Sequence, residues 1–411
     1  MKFEVLKGTK DSLCEEQIQM NKILDVMRRN FEKFGLKPFD TPLIEYFDTL
    51  TNKYKKEDEI VQEIFKVTDR GKRQLGLRYD LTVPLCRFVA SQKQLKLPFK
   101  RYQVGKVFRD GPIKSGRARE FMQCDADVVG IEGQEIEAEM LSLFYNTYKD
   151  LGIKATIEIN NNKILRGAFL EQGFKEKDLQ ILILSVDKLK KIGKKEVLNE
   201  IKTKKIDSKK ASLAIDTLSA KTVAEIKKNA KNKELLEGIF ELEKLVEYLK
   251  VLKVNYRINF SMSRGLVIYT GNIWEAYDLQ EKIKSSIGSG GRYDKAIGNF
   301  IGNDKSYPAL GISFGIVPMM ECLRNENENK ITDVLVVPLT NTLTTTAMKI
   351  ANQLRKTKNV EISYDYKLKK AFSYAESNNI DKLAIIGERD IKENRYTLKD
   401  IKTKKEKKVK I

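Results

Sequence analysis

The fold of this chain is constrained most by a series of short extended segments that have few helices between them. They lie at 36–44, 63–68, 76–79, 101–108, 121–129 and 156–159. Helical patterns in the same region are confined to 15–34, 80–90 and 135–151. A parallel sheet needs a long crossover between successive strands, and this spacing does not supply one. The sequence therefore predicts an α+β fold built on an antiparallel sheet with flanking helices.

A lysine-rich stretch with a helical pattern interrupts the strands. Residues 187–233 hold 15 lysines and no arginine against six acidic residues, so close to half of the net charge of +20 lies there. Two interpretations remain open. The stretch is either a solvated helical insertion in a lysine-rich protein or a surface that contacts phosphates.

Strand patterns return after residue 256, at 257–262, 267–270, 288–293 and 309–314. A polar, linker-like run at 325–330 precedes a β-α-β-α-β series, with strands at 334–339, 360–364 and 383–386 and helices at 344–356 and 368–377. This alternation predicts a small, separately folded domain with a parallel sheet. We predict that the basic tail at 402–411 is frayed.

The residue types that the chain lacks exclude several kinds of chemistry. It has no histidine, which eliminates Ser-His-Asp and Cys-His nucleophilic systems and His-ligated metals. The four cysteines (Cys14, Cys86, Cys124 and Cys322) form no Cys-x-x-Cys pair, so we expect no zinc or redox site and predict four small buried side chains. Any catalysis must use carboxylates, arginines, lysines, hydroxyl groups and backbone.

Charge and hydropathy add two constraints. The excess of 77 basic over 57 acidic residues suits a polyanionic partner, although a lysine-rich composition alone would also produce it. No segment approaches the roughly 18 uninterrupted apolar residues of a membrane span. The opening residues, MKFEVLKGTKD, lack the apolar core of a secretory signal. We therefore expect a cytoplasmic protein without membrane contact.

The segment 107–127, VFRDGPIKSGRAREFMQCDAD, carries the richest chemistry. It is predicted to form a strand, a loop and a second strand, with Arg109 at the end of the first strand and Lys114, Arg117 and Arg119 on or near the loop. A guanidinium group binds phosphate oxygens in a bidentate manner and stays charged at any working pH. The hairpin therefore suits a polyphosphate; the alternative is an exposed, solvated charged hairpin.

Three polar residues alternate along the second strand of this hairpin. The period of two places Gln123, Asp125 and Asp127 on one face. Such a face on a central strand is costly to bury unless it meets a polar ligand.

Two further regions combine polar residues with turns. The segment 77–84, LRYDLTVP, places Asp80 and Thr82 at a strand-to-helix junction, where a helix cap would be the simplest explanation if the segment stood alone. The segments 263–275, SRGLVIYTGNIWE, and 288–294, GSGGRYD, contain glycine-rich turns, which by themselves are weak evidence for a phosphate site.

Together these segments resemble the histidyl-tRNA synthetases, in order and over nearly the whole chain. The shared elements are KGTKD, a motif 1 helix and strand ending at Pro42, LRYDLT, the motif 2 hairpin FRDG…GRAREFMQCD, the histidine signature RGLVIYTG, and GGRYD. The resemblance implies a class II catalytic core at 1–159 and 253–325, a helical insertion at 160–252 and a C-terminal α/β anticodon-binding domain at 330–411. It also implies a homodimer formed through motif 1.

The resemblance further implies a reaction. L-histidine and ATP would form histidyl-adenylate and pyrophosphate with the assistance of Mg²⁺, and histidine would then pass to the 3′-terminal ribose of tRNA-His. The substrate carboxylate is ionised at pH 7 and can attack the α-phosphorus itself, so alignment and charge neutralisation are the enzyme's tasks. Arginines are sufficient for both, which agrees with the absence of histidine from the chain.

The family's motifs also imply a role for each candidate residue. Arg109 and Arg264 would be catalytic at the α-phosphate, Arg119 would join Arg109 in binding ATP, and Lys114 and Arg117 would approach the tRNA acceptor end. The residues that would bind histidine are Asp80, Thr82, Gln123, Asp127, Arg264, Tyr269 and Tyr293, with Asp127 and Tyr269 on the imidazole nitrogens. No metal ligand is expected from histidine or cysteine.

The chain departs from the family pattern at three motifs. In the histidine signature, Val267 and Ile268 replace more polar or aromatic residues. Motif 3 usually ends in Gly-x-Glu-Arg, but Val317 and Pro318 stand at the acidic and basic positions, and Gly111 replaces the usual acid of motif 2. Arg292 or Lys295 could replace the missing motif 3 arginine. Two other functions therefore remain open: a non-aminoacylating paralogue, such as the regulatory subunit of ATP phosphoribosyltransferase, and a non-catalytic basic RNA-binding module.

Overall fold

The computed structural model describes residues 3–52, 59–92, 94–113, 118–228, 230–264, 268–303, 305–323 and 330–411. The chain divides into two units. The first comprises 1–11 and 23–324, and the second comprises 12–22 and 325–411. Within the described ranges, no helix has the length and apolar character needed to cross a bilayer.

The first part of the chain combines short strands with a few helices, as predicted. Its elements are α1 (Cys14–Lys33), β1 (Lys37–Pro38), β2 (Ile44–Tyr46), α2 (Phe47–Thr51), α3 (Glu59–Gln62), β3 (Lys66–Thr68), β4 (Gln74–Leu77), α4 (Thr82–Ser91), β5 (Phe99–Phe108), β6 (Glu120–Val129), α5 (Glu135–Asp150) and β7 (Ala155–Asn161). Acidic Glu15 and Glu16 favour the N-terminus of α1, and Gly35, at φ 75°, lies just past its end.

Helices then follow one another without strands, in the range of the predicted helical insertion. They are α6 (Asn162–Glu171), α7 (Glu176–Val186), α8 (Leu189–Thr203), α9 (Ser208–Leu218), α10 (Val223–Lys228) and α11 (Lys233–Val251). Glycines allow α6 and α11 to approach closely, because a Cβ atom at Gly238 would lie 2.8 Å from the backbone nitrogen of Ile164.

The remaining elements of the first unit complete its large sheet. They are β8 (Tyr256–Ile258), β9 (Asn272–Asp278), β10 (Gly288–Arg292), α12 (Ala296–Ile301), β11 (Ala309–Phe314) and α13 (Ile316–Cys322). The strand order is β1-β5-β6-β11-β10-β9-β7-β8, and only the edge pairs β1–β5 and β7–β8 are parallel. The antiparallel sheet predicted from the sequence is therefore confirmed. A second sheet, β2-β4-β3, is antiparallel throughout.

Helices α1 and α5 cover one face of the large sheet. Phe31 of α1 and Phe144 of α5 contact Phe314 of β11, with ring centroids 5.8 and 4.8 Å apart. Successive side chains of a strand point to opposite faces, so Ser313 points to the other face, together with Gly311. The polar residues described below lie on that other face.

The second unit is built on a mixed five-stranded sheet. Its elements are β12 (Val334–Pro338), α14 (Thr344–Leu354), β13 (Val360–Ile362), α15 (Leu368–Ser377), β14 (Lys382–Ile386), α16 (Glu388–Lys392), β15 (Arg395–Asp400) and β16 (Glu406–Lys410). The strand order is β13-β12-β14-β15-β16, with the first three parallel and the last two antiparallel. Val334 and Val336 pack with α14, whereas Leu335 and Val337 pack with α15, so β12 is buried on both faces.

Three sequence-based predictions were wrong in detail, and one strand was missed. Residues 406–410 form β16 rather than a frayed tail, because each of them pairs with a residue of β15. Cys14 is exposed, since it is the first residue of α1, whereas the other three cysteines are buried as predicted. Residues 268–270 form no strand, and the strand that the prediction missed, β9, begins at Asn272.

Candidate active site

The polar face of β6 forms the floor of the candidate site. In the register of the sheet, Asp127 lies between Arg101 of β5 and Gly311 of β11. Asp125 lies between Gln103 and Ser313 of the same two strands. The predicted alternation of Gln123, Asp125 and Asp127 along one face is therefore present, and the Gln123 amide donates a hydrogen bond to Asp125 at 2.8 Å.

Asp127 is held in a buried ion pair that the sequence analysis did not predict. Its Oδ2 lies 2.7 Å from Nη2 of Arg101, and both side chains are almost completely buried. The Tyr293 hydroxyl donates a hydrogen bond to Oδ1 of Asp127 at 2.5 Å. Burial raises the pKa of the Asp127 carboxyl while Arg101 and the Tyr293 hydrogen bond oppose that increase. These contacts fix the orientation of the carboxylate within the site.

Arg101 also connects β6 to the segment that contains Asp80 and Thr82. Its Nη2 donates a hydrogen bond to the Leu81 carbonyl oxygen at 3.1 Å. Asp80 acts as a helix cap, since its Oδ1 accepts a hydrogen bond from the Val83 backbone at 3.0 Å, and Thr82 begins α4. The cap does not exclude a place in the site, because the Asp80 charge is close enough to raise the pKa of Asp127.

Arg109 lies directly beside this segment. Its Nε donates a hydrogen bond to the Tyr79 carbonyl oxygen at 3.1 Å, and its guanidinium group lies 5.0 Å from the centroid of the Phe121 ring. These two contacts orient a half-buried arginine at the end of β5, as the sequence predicted.

Two glycines leave room for the aromatic side chains of the site. A Cβ atom at Gly291 would lie 2.6 Å from the Tyr269 ring, and one at Gly311 would collide with the Asp127 carboxylate. Any larger residue at either position would displace a predicted imidazole contact. Gly291, the second glycine of GGRYD, therefore leaves space for the Tyr269 ring, so the segment does more than form a hairpin turn.

Arg264 lies on the polar face of the large sheet, next to Tyr269. Its Nη1 is 2.5 Å from Oε1 of Glu275, and its guanidinium group is 5.9 Å from the centroid of the Tyr269 ring. Burial works against the charge, but Tyr269 and Glu275 outweigh it and raise the pKa of Arg264. Arg264 is therefore a permanent cation, and its side chain is only partly buried.

Several buried donor atoms of the site have no hydrogen-bond acceptor. Within the described part of the chain, these include Nε of Arg101, Arg119 and Arg264. Unpaired buried donors are costly, so these three Nε atoms favour an anionic ligand, although each guanidinium group already pairs with a carboxylate through another nitrogen. The predicted site residues Asp80, Arg109, Gln123, Asp127, Arg264, Tyr269 and Tyr293 are thus linked by direct contacts or shared neighbours.

Asp125 is a functional candidate to which the sequence analysis gave no role. Burial, and then the nearby charge of Asp127, raise the pKa of its carboxyl to about 7, although Arg101 opposes this increase. Its position between two predicted ligand residues on one strand was the signal that could have identified it. A carboxyl group that titrates near neutrality inside a polar cleft is a marker of a functional site.

The two cations suggested as replacements for the missing motif 3 arginine, Arg292 and Lys295, have different surroundings. Arg292 is buried and forms an ion pair with Glu137, and its Nη2 donates to the Gly133 carbonyl oxygen at 2.6 Å. Lys295 is exposed. These contacts argue against that role for Arg292, because its donors already hold α5 and the preceding loop.

The motif 2 loop has a local explanation for Gly111. The Glu63 carboxylate occupies the space beside Gly111 so closely that a Cβ atom there would collide with it, and the Glu63 carbonyl oxygen accepts a hydrogen bond from Asp110 at 2.7 Å. The Glu63 carboxylate therefore occupies the space that a side chain at position 111 would need.

The start of the chain packs against the other end of the same hairpin. The backbone of Arg119 donates to the Gly8 carbonyl oxygen at 2.7 Å, and Gly8 has φ 89°. The Arg119 Nη2 lies 3.1 Å from Asp110. Lys114 and Arg117, predicted to approach tRNA, lie outside the described residues.

Two family models match the chain. One, described as histidyl-tRNA synthetase, matches residues 8–319, and the other, described as an anticodon binding domain, matches residues 333–411. The chain belongs to the histidyl-tRNA synthetase family.

Individual relatives agree with this assignment to the histidyl-tRNA synthetase family. "Histidine--tRNA ligase 1" of Bacillus cereus is 40% identical over 420 residues, which is 100% of this chain and 98% of the relative. "Histidine--tRNA ligase" of Clostridium tetani is 36% identical over 98% of this chain and 95% of its own length. The crystal structure of histidyl-tRNA synthetase from Nostoc superposes with a TM-score of 0.87 at 28% identity, covering 100% of this chain and 97% of that one.

A further structural neighbour bears on the regulatory alternative. It is described as an ATP phosphoribosyltransferase regulatory subunit/histidyl-tRNA synthetase from Bacillus halodurans, with a TM-score of 0.78 at 20% identity over 93% of this chain and 98% of that one. At this identity the likeness shows the fold alone. The histidyl-tRNA synthetase family's sequence relatives, together with the anticodon binding domain, favour the synthetase over the regulatory paralogue.

Proposed function

We propose that this protein is a histidine–tRNA ligase that activates L-histidine with ATP and transfers it to tRNA-His. The observation that carries the proposal is the cluster of Asp127, Tyr293 and Tyr269 beside the unpaired guanidinium nitrogens of Arg101 and Arg264. The cluster offers polar groups to an imidazole ring next to cations for a carboxylate and a phosphate. Histidine and the α-phosphate of ATP supply these complementary groups.

In the proposed first step, the histidine carboxylate attacks the α-phosphorus of ATP in line, and pyrophosphate leaves. Arg109 and Arg264 neutralise charge on the phosphoryl oxygens, and their fixed positions avoid reorganisation during the reaction. Asp80, Thr82 and Gln123 would receive the amino and carboxyl groups of the substrate. Asp127 and Tyr269 would bind the imidazole nitrogens, and Tyr293 would line the same pocket.

The ATP site is proposed to rely on Arg109 and Arg119, with the unpaired Nε of Arg119 available to an anion. Mg²⁺ supplies charge neutralisation for the leaving pyrophosphate. Within the described ranges, no group of three or more cysteine and carboxylate side chains is arranged to hold a metal ion. Mg²⁺ in such sites is bound largely by phosphates and water, so ATP would supply most of its ligands.

We further propose a homodimer and a cytoplasmic location. Leu43, Ile44 and Tyr46, which follow the proposed motif 1 strand, are each close to half exposed, as expected for an interface that a second copy covers. Lys114 and Arg117 are proposed to approach the acceptor end of tRNA, and the second unit to bind the anticodon. A cytoplasmic location would give the enzyme access to tRNA and ATP.

The test is histidine-dependent exchange of pyrophosphate into ATP, followed by charging of tRNA-His. Activity in both assays is expected, and sedimentation should give the mass of a dimer. Binding of histidine without exchange would instead support the regulatory paralogue. RNA binding without affinity for histidine would support the non-catalytic RNA-binding module.

A further inference from the structure

We propose that the helical insertion is part of the adenylation site, because it positions Arg264 and Tyr269 from both ends of the segment that carries them. This inference rests on the proposed function and extends it. We call residues 263–271 the signature segment; the structure describes residues 263, 264 and 268–271 of it. Ser263, Asp187 and Asn162 are assigned as positioning residues.

The start of the signature segment is attached to the end of α7. The buried Ser263 hydroxyl lies 3.1 Å from Oδ1 of Asp187, which directly follows the helix, and 3.2 Å from the carbonyl oxygen of Ile183 in its last turn. Because Ser263 immediately precedes Arg264, the position of α7 determines where that guanidinium group enters the site.

The end of the signature segment is attached to the start of α6. The Asn162 amide donates a hydrogen bond to the Tyr269 carbonyl oxygen at 2.7 Å, and the Asn162 backbone donates to the Gly271 carbonyl oxygen at 2.9 Å. The preceding residue, Asn161, caps α6 and donates to Glu241 of α11 at 2.8 Å. The backbone that carries Tyr269 is therefore fixed by two helices of the insertion.

A third connection reaches Arg264 through its ion-pair partner. Lys190 of α8 lies 5.0 Å from the centroid of the Tyr277 ring. The Tyr277 hydroxyl donates to Oε2 of Glu275 at 2.5 Å, and Oε1 of Glu275 pairs with Arg264. The side chain and the backbone of Arg264 are thus both connected to the insertion.

These contacts predict different kinetic effects when the two ends of the signature segment are loosened. A displacement of about 1 Å can cost roughly a hundredfold in rate when it moves a group that acts in the transition state. Loosening Ser263 should move Arg264 and lower kcat. Loosening Asn162 should move Tyr269, a proposed imidazole contact, and raise KM for histidine.

The experiment compares Ser263→Ala, Ser263→Thr and Asn162→Asp in histidine-dependent pyrophosphate exchange on the full chain. Ser263→Thr keeps the hydroxyl group and should restore kcat. Asn162→Asp removes the donor amide but places an acidic residue in the first turn of α6, which favours the helix. Asp216→Asn is the matched control, because Asp216 lies in α9 and pairs only with Lys194 among the described ion pairs.

We expect Ser263→Ala to lower kcat about tenfold with little change in KM for histidine, and Asn162→Asp to raise that KM about tenfold with a smaller change in kcat. The control should match the parental protein, and all variants should keep its melting temperature within a few degrees. Parental constants in both variants would overturn the proposal. An equal loss of kcat in both, accompanied by a lower melting temperature, would show a merely structural role and also overturn it. Absence of exchange in the parental protein would instead contradict the proposed function.

Discussion

The buried ion pair between Arg101 and Asp127, with 2.7 Å between Nη2 and Oδ2, orients the carboxylate of the candidate imidazole site. Arg101 is completely buried and also holds the Leu81 carbonyl oxygen. Removal of Asp127 would leave this guanidinium group without its partner, and a buried charge of this kind typically costs about 3–5 kcal/mol of stability. Substitutions that test histidine recognition should therefore leave the pair intact.

Arg264→Ala should reduce histidine-dependent pyrophosphate exchange by about 10² to 10³, because a fixed donor at the transferring phosphoryl group is lost. Arg73→Ala is the control, since Arg73 forms an exposed ion pair with Asp69 in the β3–β4 hairpin. Circular dichroism and sedimentation should show that both variants fold and assemble as the parental protein does. Exchange at the parental rate in Arg264→Ala would refute its catalytic role.

Tyr269→Phe should raise KM for histidine about tenfold or more while KM for ATP stays unchanged. The substitution removes only a hydroxyl group, which leaves an imidazole nitrogen unpaired in a buried site. Tyr364→Phe, at an exposed tyrosine of the second unit, should change neither constant. Parallel increases in both KM values would contradict a role in imidazole recognition.

Asp125→Asn should make the ligand-free protein more stable above pH 7 but not near pH 4. The Asp125 carboxyl keeps its proton in the folded chain up to a pKa of about 7, whereas the unfolded chain releases it near pH 4. Because the unfolded state binds fewer protons between these values, the parental protein loses stability as the pH rises through this interval. Thermal melts at pH 4 and pH 8 should show a gain of a few degrees at pH 8 only. A gain of equal size at both pH values would exclude titration of Asp125 as the cause.

Replacing Lys202, Lys205 and Lys209 with glutamine should reduce the salt dependence of tRNA binding. These lysines are exposed and form no ion pair among the described residues, in contrast to Lys188 and Lys204, which bind Glu200. The logarithm of the binding constant falls as the logarithm of the salt concentration rises. Each lost phosphate contact reduces the magnitude of that slope by about 0.9. Histidine-dependent exchange should survive, as a control for the catalytic unit. An unchanged slope would mean that these lysines only solvate the surface.

Point substitutions are preferable to deletion of 187–233 in that experiment. The deletion would remove Asp187 and Lys190, which contact Ser263 and Tyr277, and would therefore also disturb the proposed adenylation site.

Sequence patterns predicted the antiparallel sheet and most of the candidate site, because strand alternation and motif order are local properties. They did not identify Arg101 as a site residue, since its role depends on the register that pairs it with Asp127. They also missed β9, whose first three residues are all buried, so that no alternation of polar and apolar residues marks its start. β16 was missed for another reason: its lysines carry no apolar pattern, and only pairing with β15 makes the segment a strand.

The two glycines beside Tyr269 and Asp127 limit how this pocket can be redesigned. Gly291 and Gly311 already carry the smallest side chain, so no substitution at these positions can deepen the space beneath Tyr269 and Asp127. An engineer who wishes to admit a larger histidine analogue must widen the walls instead. Truncation of Tyr269 or Tyr293 would provide that room, but each would also remove a polar group that discriminates between rings. In this pocket, a larger substrate range and strict selectivity are therefore opposing design goals.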